Sequence, residues 1–332
     1  MPIIHTGQPG SGPPPSGPAR ETATVIWTAA SGEQTILSDW RQGYVLSSGA
    51  KGLGMPQYQL YLRESGGIDG DVVTGVRARA REIFLPIVVY GRDRADALRR
   101  RALLADAFDP LGVNGGGEGV LTVVETGLEP RRIRAYYTEG MEGGEGRDEA
   151  GVTWARFGIS LHAAEPYWHG DEVTASWGVP GGEQPFLPVG PPHYLKVRTA
   201  QIIQPNMVID CPGDARSYPR WTIRGPLSTG ALFRNRTGQT VSWQLNRALQ
   251  SGDTVVVDCH PRRRSITLNG TENLWPSLTP NSQLWPLAPG RNVVDMVVNG
   301  VADGTSVELA FVPLYKTAYP VTSAATARRG AA

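Results

Sequence analysis

The sequence predicts a mainly β chain with one α-helix, and three observations carry that expectation. From Ala23 onward, apolar and polar residues alternate with the period of a β-strand. Residues 216–292 form a series of short apolar runs separated by turn signals such as Asn235-Arg236-Thr237-Gly238 and Asn269-Gly270. Only residues 93–108 carry a helical repeat, opened by a capping aspartate.

The elements follow in order. Residues 1–20 are rich in Gly and Pro with little to bury, and on their own read as an extended arm. Gln57-Tyr58-Gln59-Leu60-Tyr61-Leu62-Arg63 places Tyr58, Leu60 and Leu62 on one face. Val76-Arg77-Ala78-Arg79-Ala80-Arg81 places Arg77, Arg79 and Arg81 on one face; both segments read as half-buried strands. Residues 83–90 are almost wholly apolar, and Pro86 within them points to an edge or a bulge, because proline cannot donate to a ladder. In the helix, Asp93 caps, Asp96 sits in the first turn, and Ala95, Leu98, Ala102 and Ala105 form the expected buried stripe before Asp109-Pro110 ends it. Strands are expected at 120–124, 132–137 and 152–163, with a Gly- and Glu-rich loop projecting between the last two.

Prolines and glycines then crowd the chain from Pro180 to Pro192, the composition of a connection. This divides the chain into an arm at 1–20, a first domain at 21–168, a linker at 169–205, a second domain at 206–318 and a tail at 319–332. The second domain shows strands near 207–211, 220–225, 231–235, 239–245, 253–259, 263–268, 292–298 and 305–312 with no helix, which favours a β-sandwich.

Composition narrows the function. The 32 basic and 31 acidic residues leave a net charge of +1, so no overall field draws the chain to nucleic acid or to an anionic membrane, and neither is an expected partner. Cys211 and Cys259 are the only cysteines and make no disulfide framework; they are either neighbours or two buried thiols. The histidines are scattered, so no metal site is expected. Nothing near the start has the apolar core of a signal peptide, and no run of ~18 apolar residues occurs, so synthesis in the cytoplasm is expected.

Candidate sites are few. The Arg77, Arg79 and Arg81 stripe suits either a subunit contact with carboxylates or a plain solvent face. Arg262-Arg263-Arg264 after His260-Pro261 suits a sugar-phosphate or a partner's acidic loop, but reads first as the polar rim of a sandwich strand and is not taken as a site. Leu274-Trp275-Pro276 and Leu284-Trp285-Pro286 repeat ten residues apart. Trp275 and Trp285 either staple a long connection onto the sandwich or form an aromatic platform for a sugar. Glu139, Glu142, Glu145, Asp148 and Glu149 lie in a glycine-rich loop, where nothing would separate their acidities for acid–base work. No nucleophile elbow, phosphate loop or His-Glu-x-x-His motif is present, so no catalytic residue, cofactor or enzyme activity is expected.

Several landmarks, taken in order, resemble the siphophage distal tail protein family. In the second half they are Ser217-Tyr218-Pro219-Arg220-Trp221-Thr222-Ile223, Gly252-Asp253-Thr254, Ser265-Ile266-Thr267-Leu268-Asn269-Gly270 and Leu287-Ala288-Pro289-Gly290-Arg291-Asn292. In the first they are Gly52-Leu53-Gly54-Met55-Pro56, Arg81-Glu82-Ile83-Phe84-Leu85-Pro86-Ile87 and Ala163-Ala164-Glu165-Pro166-Tyr167-Trp168. The resemblance implies an N-terminal split-barrel (belt) domain whose copies close a hexameric ring, and an outward-facing galectin-like β-sandwich. It also implies a place at the tail tip of the virion, with the tail tube protein, a tail-associated hub protein and receptor-binding or side-fibre proteins as partners. Residues 76–90, including Pro86 and the arginine stripe, and residues 132–163 are the expected ring contacts. The alternative is an adhesion module that binds host cell-wall glycan.

Overall fold

The structure is a computed structural model that describes residues 23–64, 66–67, 69–112, 117–143, 151–178 and 201–319. The arm at 1–20, much of the acidic loop and nearly all of the tail lie outside the described residues.

The first half contains β1 (Thr24–Thr28), β2 (Gln34–Ile36), β3 (Tyr44–Leu46), β4 (Tyr58–Glu64), β5 (Asp71–Ala78) and β6 (Arg81–Tyr90). The helix α1 (Arg94–Phe108) follows, then β7 (Gly119–Val124), β8 (Arg131–Glu139), β9 (Trp154–Ala163) and β10 (Trp168–His169). An antiparallel path runs β2-β1-β7-β8-β9-β6-β3. Its two margins, β2 and β3, are consecutive in sequence and joined only by residues 37–43, a reach of at most about 25 Å. The sheet must therefore curl until its margins approach, and it forms a split barrel whose margins are not hydrogen-bonded to each other. Asp39 caps the closing turn by accepting from the Arg41 amide, and Gly43, at φ 89°, ends it in the left-handed conformation that glycine tolerates.

Alternation places Ile83, Leu85, Ile87 and Val89 of β6 inside, with Phe157, Ile159 and Leu161 of β9, as the sequence pattern anticipates. The helix begins as expected, with the Asp93 carboxylate accepting from the Asp96 amide at 2.8 Å. Its buried face is not the expected one: Ala97, Leu104, Ala107 and Phe108 are inside, whereas Leu98 is exposed. The reason is aromatic packing. Phe108 stacks on Trp27 at 4.6 Å, and the Trp27 indole donates to the Ala107 carbonyl at 2.7 Å, contacts that set the helix rotation against the weak preference of small alanines.

β6 is an interior strand, paired with β9 on one side and β3 on the other, so Pro86 is not at an edge. Pro86 is buried opposite Gly158. Its carbonyl accepts from the Ser47 amide at 2.7 Å, and its nitrogen faces the same side, toward β3. The bond that proline cannot donate is the reciprocal one to Ser47, and it falls just past the end of β3 at Leu46, where the pairing of β3 with β6 stops.

The second half contains β11 (Val173–Gly178), β12 (Gln201–Cys211), β13 (Arg220–Arg224), β14 (Leu227–Asn235), β15 (Val241–Leu245) and β16 (Thr254–Asp258). It continues with β17 (Ser265–Leu268), β18 (Glu272–Asn273), β19 (Gly290–Val301), β20 (Ser306–Phe311) and β21 (Leu314–Tyr315). Two sheets, β11-β20-β13-β16-β17-β18 and β12-β19-β14-β15, enclose one core as a sandwich. Phe233 lies at its centre, 4.3 Å from Trp243 and 4.6 Å from Trp221. All eight strands expected between 207 and 312 fall on observed ones.

The division between the halves differs from the composition reading. β11, within the expected linker, pairs with β20 in the sandwich, and the Pro/Gly-dense residues 179–200 lie outside the described residues. At the other end β21 pairs with β10, and Tyr315 and Ala318 pack into the barrel core. Pro and Gly density marks where a chain is not a ladder strand; it does not mark which core the flanking strands join. Cys211 and Cys259 are both free and buried. Among the described residues no helix is long and apolar enough to cross a membrane.

Candidate functional site

The most unusual feature is the hairpin of β4 and β5, which among the described residues pair only with each other. Tyr58, Leu60, Tyr61, Leu62, Val73 and Val76 are between 41% and 59% exposed, on both faces. The sequence pattern had placed Tyr58, Leu60 and Leu62 in a half-buried strand; among the described residues nothing covers them. A lone two-stranded ribbon is marginal in water, and an exposed apolar patch rimmed by polar residues marks a contact site.

The arginine stripe does not exist as one face. Arg77 lies on β5, where its Nη2 donates to Gln59 Oε1 at 3.1 Å and its guanidinium covers the Tyr61 ring. Arg79 is exposed at the foot of the hairpin, its amide donating to the Gln57 carbonyl. Arg81 belongs to the next strand and is 3% exposed. The chain leaves the ladder at Arg79 and Ala80, which ends the strand face that the alternating arginines implied.

Arg81 instead serves the interior. Its Nη1 donates to the carbonyls of Gly52 and Gly54, each at 2.6 Å; Nε donates to Pro166 and Nη2 to Lys316, each at 2.8 Å. Burial pulls the guanidinium down to about 10, still charged at neutral pH. Gly52 is required beneath it: φ is +82°, and a Cβ there would meet the Glu82 carbonyl oxygen at 2.2 Å.

The two tryptophans separate. Trp285 is 2% exposed and packs edge-on to Trp221 at 6.0 Å, while Trp275 is 40% exposed on a single 3-10 turn. They form no shared platform. With Leu274 and Leu284 also buried, the connection between β18 and β19 is stapled to the sandwich core.

Between the halves lies a polar seam around a cavity of about 420 Å³. Glu165, from the segment linking β9 to β10, lies 3.6 Å from His169 Nε2, 3.5 Å from His260 Nε2 and 3.9 Å from Arg262 Nη1. Arg262 Nη2 also donates to the Ala164 carbonyl at 3.0 Å, so this arginine joins the two halves where the sequence reading favoured a polar rim. The His169 imidazole, with His260 and Arg262 beside it, holds the Glu165 carboxyl down at about 2. A carboxylate so firmly ionised is a structural cross-link, unsuited to general-acid work near neutral pH. Among the described residues no His, Cys, Asp and Glu cluster fits a metal ion. The sequence offered no signal for this seam, since its members are scattered from Glu165 to Arg262.

The comparisons agree with this architecture. Residues 212–315 match the model of the siphovirus-type tail component, C-terminal domain. The chain is 26% identical over 254 residues to the distal tail protein of Bacillus phage SPP1, covering 75% of this chain and 84% of that protein. The crystal structure of the SPP1 Dit protein, described as a paradigm of the hub adsorption apparatus in phages infecting Gram-positive bacteria, superposes with a TM-score of 0.59. That match is 16% identical and covers 89% of this chain and 99% of that one. A chain of the phage P2 baseplate in its activated, calcium-bound conformation aligns at 10% identity over 88% of this chain and 97% of that chain, with a TM-score of 0.45. The order of the sequence landmarks, the split barrel followed by a sandwich, and the matches to both sequence and fold agree: residues 212–315 match the C-terminal domain of the siphovirus-type tail component, and the chain as a whole is similar in sequence and fold to a distal tail protein.

Proposed function

We propose that copies of this chain close a hexameric ring at the tail tip, joining the tail tube above to a hub protein below and holding receptor-binding or side-fibre proteins at the rim. One observation carries the ring: the β4 and β5 hairpin exposes apolar residues on both faces and finds no cover among the described residues of its own chain. A neighbouring copy is the natural partner, because a head-to-tail contact of this kind repeats until it closes. The expected contact zone at 76–90 is thereby narrowed. β6 has both edges paired, so the contacts fall on the hairpin with Arg77 and Arg79, and on the open margins β2 and β3. Arg81 and Pro86, both buried, take no direct part in this reading. The role is structural and needs no catalytic group.

Negative-stain electron microscopy of the purified chain, with gold labelling of intact particles, tests the reading. Sixfold annuli and label at the far end of the tail are expected. Isolated globules and label elsewhere on the particle would contradict it.

A further inference from the structure

The geometry points to Arg81 as the positioning residue that sets the direction in which the exposed hairpin leaves the body. The hairpin is attached by two segments only, residues 55–57 entering β4 and residues 79–80 leaving β5. Arg81 follows the second directly, and its Nη1 holds the carbonyls of Gly52 and Gly54 just before the first. The remaining donors, Nε and Nη2, hold Pro166 and Lys316 on the body. One planar guanidinium thus clasps both feet of the hairpin to each other and to the place where barrel and sandwich meet. Lys316 is fixed in turn, its amide donating to Asp214 Oδ1 of the sandwich half at 2.6 Å.

Chemistry makes this a task for arginine. Four carbonyls in different directions need the divergent donors of a rigid fork, and a lysine ammonium, with three donors on a flexible stem, cannot match that pattern. Among the described residues the hairpin has no other strand partner, so without the clasp its direction is governed by two short peptide segments. The use of this direction in ring closure rests on the ring reading above; the clasp itself does not.

The test is a spin-label distance measurement on the full chain, diluted with unlabelled protein so that only distances within one chain are read. Val73→Cys with Leu103→Cys reports hairpin against barrel. Leu103→Cys with Ala248→Cys reports barrel against sandwich. All three positions are exposed, and the chain without added cysteines is the labelling control. The expected result is a narrow hairpin-to-barrel distribution in the parent that widens at least about twofold in Arg81→Lys, while the barrel-to-sandwich distribution stays narrow. A purely structural role would lower the melting temperature without this selective widening. A second variant inserts two glycines between Arg79 and Ala80, leaving Arg81 and its four carbonyls in place while lengthening the hairpin's tether, and has to widen the same distance. A broad parent distribution, or a width unchanged by the glycine insertion, overturns the proposal. Mass photometry of the same samples keeps the two ideas apart: a parent that never assembles counts against the ring and leaves the distance result standing.

Discussion

Arg81 Nη2 donates to the carbonyl of Lys316 at 2.8 Å across 235 positions of sequence, tying the start of an interior barrel strand to the segment that returns from the sandwich. The bond gives the two halves a shared anchor beside the root of the hairpin. It also explains why the end of the described chain, through Tyr315 and Ala318, belongs to the barrel core.

Replacing Arg81 by Met leaves buried carbonyls without their donors. Hydrogen bonds to a charged group are worth about 1.5–3 kcal/mol each, and partial repair by water leaves an expected loss of about 3 kcal/mol. Chemical denaturation of the purified variant measures it, and a loss below about 1 kcal/mol would show that the clasp is dispensable for stability.

The hairpin should behave oppositely. Leu60→Asp combined with Val76→Asp removes apolar surface that the subunit leaves in water, so its own stability should change by no more than about 0.5 kcal/mol. Assembly should be lost. Paired melting curves and sedimentation profiles separate the two effects, and a variant that assembles normally removes the hairpin from the contact.

Glu165 supplies a pH dependence with a defined sign. Its carboxyl is held at about 2, below the ordinary 4.5, chiefly by the His169 imidazole beside it. The folded state therefore prefers the carboxylate. Its contribution is complete above about pH 4.5 and disappears as the pH falls toward 2. Glu165 is partly open to solvent, which reduces the expected amplitude to about 1 kcal/mol. Acid titration of stability should show this component in the parent and not in Glu165→Gln; identical acid limbs would rule it out.

The two tryptophans should part company on substitution. Trp285→Ala empties a site in the sandwich core and should cost about 3–5 kcal/mol, whereas Trp275→Ala should cost no more than about 1 kcal/mol. Thermal melts of both variants decide this. Equal costs would contradict the stapled arrangement.

These contrasts show what the sequence could reveal. Strands were legible wherever one face meets the chain's own core, as in Ile83 to Val89, because alternation records burial directly. The Asp93 cap was legible because the interaction is local. The hairpin was misread as half-buried because apolar alternation records the need for a partner, not whether that partner lies in the same chain. Arg77, Arg79 and Arg81 looked continuous because a break between consecutive strands leaves no composition signal at Arg79-Ala80. Trp275 and Trp285 share the same local motif, and only the tertiary path of the connection buries one and leaves the other half open. The Arg81 clasp and the Glu165 seam are assembled from residues far apart in sequence, beyond the reach of any local pattern.

The central claim is that the chain closes on copies of itself, and its most direct test is the mass of the purified full chain in solution by multi-angle light scattering. Six times the 35.7 kDa chain mass, sustained across a dilution series, is the predicted result. A particle that keeps the single-chain mass at every concentration would contradict the account.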